Sequence, residues 1–153
     1  MASKERIRRK GWRSGCMICL TVTKNEEGDG IQQIDVKEIL YMQSDNQLSL
    51  SVHTENAQYV TVGSLRFWES AFQKAGLNFI RLDRGVLANL DKIKVVDKDF
   101  KLAYFDTNIK KETKNCTMSS SGYKSFRERN TTIPAVNSSG SKLLKGLSWQ
   151  TSP

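Results

Sequence analysis

A chain of 153 residues that is 38% hydrophobic has room for one ordinary domain with a modest core, so its two ends are expected to be partly unstructured. Its formal charge is +8 and its three cysteines are an odd number, so the composition points to a polyanionic partner and a reducing compartment rather than a disulfide-stapled secreted fold. The charge is uneven: residues 1–34 hold seven Lys and Arg against four acids, residues 35–113 balance at eleven and eleven, and residues 114–153 hold six against one. That distribution predicts a neutral folded body with basic extensions.

In chain order, residues 1–15 carry Lys4, Arg6, Arg8, Arg9, Lys10 and Arg13 against Glu5, a basic arm. The apolar run that follows, from Cys16 to Leu20, ends at Thr21, too short for export or a membrane span, and a cytoplasmic location is expected. Residues 16–23 read as a strand, 26–30 as a turn, 31–34 as a second strand, 35–38 as a helical turn or extended piece, and 39–43 as a third strand. After the turn-forming 44–47, Leu48, Leu50 and Val52 alternate with Ser49, Ser51 and His53, as in a strand with one face in water. His53 is expected on that wet face. Residues 58–62 read as the returning strand of a hairpin. Ser64 is placed to cap a helix with Leu65, Trp68, Phe72 and Ala75 on one side and Gly76 beyond its end.

From Phe79 to Ile93 the apolar residues first alternate with charges, at Ile80 and Leu82, and then take helix-like spacing at Val86, Leu90 and Ile93, with Gly85 at the switch. This predicts a strand feeding a tight, protruding corner. Arg81, Arg84, Asn89 and Lys92 are the polar groups expected at its tip, and cations around one amide suit a phosphate-rich ligand whose base edges the amide can read. Residues 93–96 and 100–105 read as strands, 106–115 as a lysine-bearing connection, Cys116 as the start of a further strand, and 119–122 as a loop before a short helical piece at 123–129. Residues 130–153 are a Ser-, Thr- and Gly-rich tail. Within the tail, Leu143, Leu144, Leu147 and Trp149 read as a frayed end in preference to a segment that docks on a partner.

The corner resembles the LytTR DNA-binding domains of bacterial transcription regulators, whose usual run is Phe, any, Arg, any, His, Arg, Ser, two apolar residues, Val, Asn, three variable residues and Ile. Phe79, Arg81, Arg84, Val86, Leu87, Asn89 and Ile93 fall on it, while Asp83, Gly85 and Ala88 depart from it. The similarity reaches upstream to the segment 35–42 and downstream to Arg129. It implies a mostly β domain at 16–129, made of short antiparallel sheets with one amphipathic helix and binding DNA through loops at the major and minor grooves.

Carried over, the resemblance nominates Asn89, Arg84, Arg81 and Lys92 in the corner, Asn46 and Gln47 in a first outer loop, and Ser121, Lys124 and Arg127 in and after a last one. It implies double-stranded DNA as the ligand and two copies on repeated half-sites. The fifteen-residue basic arm leaves no room for a receiver domain, so the resemblance implies control from elsewhere, by a small membrane-bound inhibitory protein. The leading reading is a sequence-specific transcriptional regulator. The alternative is a degenerate module that partners or antagonises a full regulator and has only non-specific DNA affinity. For an enzyme, a cofactor or a metal there is no phosphate-binding glycine loop, no telling Ser, His and acid set, and no ligand cluster. Asn89 has a plainer rival role, hydrogen bonding to the backbone of its own corner.

Overall fold

The computed structural model describes residues 18–46, 48–130 and 132–136. Its centre is a five-stranded antiparallel sheet in the order β5-β4-β3-β7-β6, from β3 (Ile39–Ser44), β4 (Ser49–Thr54), β5 (Gln58–Val62), β6 (Phe79–Asp83) and β7 (Val86–Asn89). Before it, β1 (Cys19–Val22) and β2 (Gln32–Asp35) pair with each other, and Thr23 bridges to Val60 at the sheet's edge. After it, β8 (Val95–Asp97), β9 (Leu102–Tyr104) and β10 (Asn115–Thr117) form a second antiparallel sheet, to which β11 (Ala135–Val136) adds alongside β8 in parallel. Two helices complete the described fold, α1 (Leu65–Lys74) and α2 (Ser120–Arg129). The mostly β architecture with antiparallel sheets is as the sequence implies.

Both faces of the central sheet are covered, and this sets its side-chain pattern. Met42, Leu50, Val52, Phe79 and Leu87 join one apolar cluster with Leu20, Val22 and Ile34 of the first hairpin and Leu65 and Phe72 of α1. Tyr41, Ile80, Leu82, Val86 and Ala88 join another with Val96, Ala103, Cys116 and Phe126 of the second sheet and α2. A register irregularity between Ile39 and Tyr41 lets the neighbours Leu40 and Tyr41 both enter this second cluster.

Three sequence expectations change, the first two for that reason. The residues after Gly85 are not helix-like: Val86–Asn89 is a central strand buried throughout, followed by one turn of 3-10 helix at Leu90–Lys92. A short run that is apolar on both faces cannot be told from a helix segment by period alone. β4 has no wet face, since Ser49 and Ser51 are buried, and His53 is half-buried with its ring stacked on Tyr41 at 4.3 Å. The predicted loop at 119–122 is instead the start of α2, because the Ser119 hydroxyl accepts the Gly122 N–H at 2.9 Å and caps the helix there.

Candidate nucleic-acid interface

Strand direction decides which predicted residues meet. β6 and β7 form a hairpin with Asp83 opposite Val86, so Arg84 and Gly85 make up its two-residue turn. The Ser44 N–H, at the end of β3, donates to the Gly85 carbonyl at 2.9 Å, which sets the β3–β4 loop on one side of the turn. On the other side the Ser119 N–H donates to the Leu82 carbonyl at 2.8 Å, and the Thr117 hydroxyl reaches the Asp83 carboxylate at 3.4 Å. Three segments distant in sequence thus lie along one end of the sheet, with Arg84 in the middle.

The turn is braced from behind. The Asp83 carboxylate accepts the Arg84 N–H at 2.7 Å, and the Arg81 guanidinium donates to the Arg84 carbonyl at 2.6 Å while pairing with Glu69 of α1 at 3.1 Å. Arg81 is therefore a strut, half-buried and committed. The Arg84 guanidinium is exposed and has no hydrogen bond or ion pair among the described residues. Gly85 does not have a positive φ, and a β-carbon there would meet only the Ser44 side chain, at 4.0 Å.

The other nominated residues divide. Lys124 and Ser121 are exposed on the first two turns of α2, at the same end as Arg84, with the Ser121 hydroxyl 3.2 Å from that of Ser119. Asn46 is at that end too, but its carbonyl oxygen accepts the Leu48 and Ser49 N–H groups at 2.8 and 2.9 Å and its amide donates to Glu26 at 3.0 Å. Its side chain shapes its own loop. Gln47 lies outside the described residues. Arg127, further along α2, donates to the Ile133 carbonyl at 2.9 Å.

Asn89 and Lys92 are not beside Arg84. Asn89 closes β7 at its other end and Lys92 follows it, and Asn89 is 4% exposed, donating to the Ile39 carbonyl at 3.0 Å and accepting the Asp91 N–H at 3.1 Å. The geometry is that of the plainer role, a brace between the corner and β3.

Sequence reasoning missed Lys101. It lies in the β8–β9 turn, in a left-handed conformation with φ of 55°, and its carbonyl accepts the Met118 N–H at 2.8 Å, beside the start of α2. Its ammonium stands 5.9 Å from the Tyr123 ring centroid, adding a cation at this end. The sequence holds no signal for it, because residues 100–105 read as a strand, whereas β9 starts only at Leu102 and Lys101 belongs to the turn that packs next to Met118.

A family model described as the LytTr DNA-binding domain matches residues 29–130. The chain belongs to the LytTR family. A solved LytTr DNA-binding domain from Bacillus cereus is similar in fold, with a TM-score of 0.58 at 20% identity, covering 72% of this chain and 94% of that one. Among curated proteins none matches. The LytTR family is one of DNA-binding domains, so a DNA-binding regulator is the general reading. In this LytTR domain the departure at Asp83 places a carboxylate where it ties Arg84 and Thr117 together. Among the described residues no helix is long and apolar enough to cross a membrane, and no group of three or more His, Cys, Asp and Glu could hold a metal ion.

Proposed function

We propose that this LytTR protein is a sequence-specific transcriptional regulator that sets the Arg84 end of its central sheet on duplex DNA, as two copies on repeated half-sites. The observation that carries the reading is the uncommitted, exposed guanidinium of Arg84 on a turn braced by Asp83 and Arg81 and flanked by the β3–β4 loop and the start of α2. The braced backbone fixes where the Arg84 side chain starts, so the ordering cost of meeting a phosphate or a guanine edge falls on its rotamers and not on the turn. Lys124 and Lys101 supply further positive charge, and the loops present polar groups to the grooves.

A specific observation also supports the second reading, an interaction module with only non-specific DNA affinity. Asn46 is spent on its own loop and Glu26, and Ser121 offers a short neutral hydroxyl, so neither makes a charged bidentate base contact. The two readings separate in one experiment: duplexes are selected from a random pool, and the best is titrated with salt against a scrambled one. The regulator reading expects a repeated motif bound about a thousandfold tighter than scrambled DNA. Equal binding that falls together as salt rises contains only the phosphate contribution and supports the interaction module.

A further inference from the structure

Lys92 is left unexplained by the Arg84 end, and the opposite end of the hairpin supplies a setting for it. There a cavity of about 390 Å³ opens between the α1–β6 link, the segment just before β3 and the turn after β7, with Lys37, Lys92 and Lys94 in its wall. The carboxylate in the same wall is Asp91, which accepts the Asn78 amide at 3.0 Å. Three ammonium groups against one carboxylate give the wall a formal charge of +2. Among the described residues the one ion pair within 4 Å is Arg81 with Glu69, so none of these lysines is neutralised by a paired acid. Glu38 and Glu55 line an adjoining hollow that shares Lys92.

The floor of the cavity is stiff. Arg129, at the end of α2, donates to the side-chain oxygen of Asn78 at 2.8 Å, the Asn78 side-chain amide donates to Asp91, the Asp91 N–H donates to the Asn89 side chain, and the Asn89 amide donates to the Ile39 carbonyl. An amide nitrogen has two hydrogens, and the Asn78 amide has given one to Asp91, leaving the second for a ligand oxygen. A concave wall that carries three lysines and an amide donor suits tetrahedral oxyanions, and its charge matches a ligand bearing more than one negative charge.

We infer that this cavity binds a compact ligand carrying two or more linked phosphate groups, held by Lys37, Lys92 and Lys94 over the Asn78–Asp91 floor. The site is independent of the DNA reading. The body of the central sheet separates it from Arg84.

The test titrates inorganic pyrophosphate into the full chain, followed by calorimetry and by the amide signals of ¹⁵N-labelled protein. Orthophosphate at the same ionic strength is the control. The expected result is saturable binding, with shifts centred on Asn78, Asp91, Lys92 and Lys94. A Lys92→Ala, Lys94→Ala double variant with unchanged circular dichroism binds about tenfold more weakly or worse, because two charge-assisted contacts are gone. Arg84→Ala binds pyrophosphate as the parent does. The inference is overturned by shifts that do not saturate, by shifts centred on Arg84 and Lys124, or by equal affinity in the double variant. None of those outcomes bears on DNA selection, which is read separately.

Discussion

The carbonyl oxygen of Leu82 lies 1.8 Å from where a β-carbon on Gly122 would stand. The same oxygen accepts the N–H of Ser119 at 2.8 Å and its hydroxyl at 3.3 Å, so the first turn of α2 is seated directly on the end of β6, next to Arg84. Gly122→Ala cannot be absorbed by a side-chain rotation, because the obstacle is backbone. We expect it to destabilise the protein by about 1 to 3 kcal/mol, the range for overpacking a close contact, measured by urea unfolding. Gly85→Ala, with its nearest neighbour at 4.0 Å, is the control and should be nearly neutral. Equal stability of the two variants would show that the helix is not seated there.

Arg84→Ala removes a side chain with no partner among the described residues, so the melting temperature should stay within about 2 °C, while binding to any duplex weakens. If the guanidinium neutralises one phosphate, the slope of log affinity against log salt should fall in magnitude by about 0.9. Should the slope stay put while discrimination against scrambled DNA drops, Arg84 reads a base instead. Affinity and slope both unchanged would remove Arg84 from the interface.

Asn89→Ala should act on stability instead. It strips the Asn89 side-chain partner from the buried Ile39 carbonyl and from the part-buried Asp91 N–H, and one unsatisfied buried group of this kind costs about 1 to 3 kcal/mol. Asn89→Asp keeps the acceptor for Asp91 but turns a carboxylate oxygen toward the Ile39 carbonyl, and should be at least as damaging. Under conditions where the variants are folded, the salt slope of DNA binding should match that of the parent. A changed slope with unchanged stability would return Asn89 to the DNA face.

How far the sequence could be read follows from these residues. α1 was legible because Ser64 and Gly76 frame it and one side alone is apolar. The corner was legible as a motif but not as a shape. Arg84 and Asn89 are close in sequence, yet the whole of β7 runs between them, and nothing in Val86-Leu87-Ala88 says that a strand covered on both faces separates the two. Arg81 was expected in the corner, whereas its partner Glu69 comes from α1, a contact set by tertiary packing. The cap at Ser119 is a local signal that the sequence leaves ambiguous. Three consecutive serines before Gly122 read equally well as a loop, and the seat on Leu82 decides between them.

His53 is the chain's one histidine, which makes its titration separable from the rest. Its ring stacks on Tyr41 at 4.3 Å, Tyr41 stacks on Phe105 at 5.5 Å, and the nearby Lys114 ammonium donates to the Thr54 and Ala57 carbonyls at 2.7 and 3.2 Å. Burial lowers the imidazole pKa, the Lys114 charge lowers it further, and Asp45 opposes them, leaving it at about 4 against an ordinary 6.5. Between those values the unfolded chain binds a proton at His53 and the folded chain does not. Stability from this group is therefore complete above pH 6.5 and is lost as the pH falls toward 4. For a half-buried ring screened by solvent the loss is on the order of 1 kcal/mol. His53→Phe keeps the stack on Tyr41 without the titration, so the stability difference between parent and variant should move against the parent by that amount from pH 7 to pH 5, above the range where most carboxylates titrate. Lys114→Met should raise the His53 pKa, read from its ring proton shifts. A parent His53 that titrates near 6.5 would show that neither burial nor Lys114 acts on it.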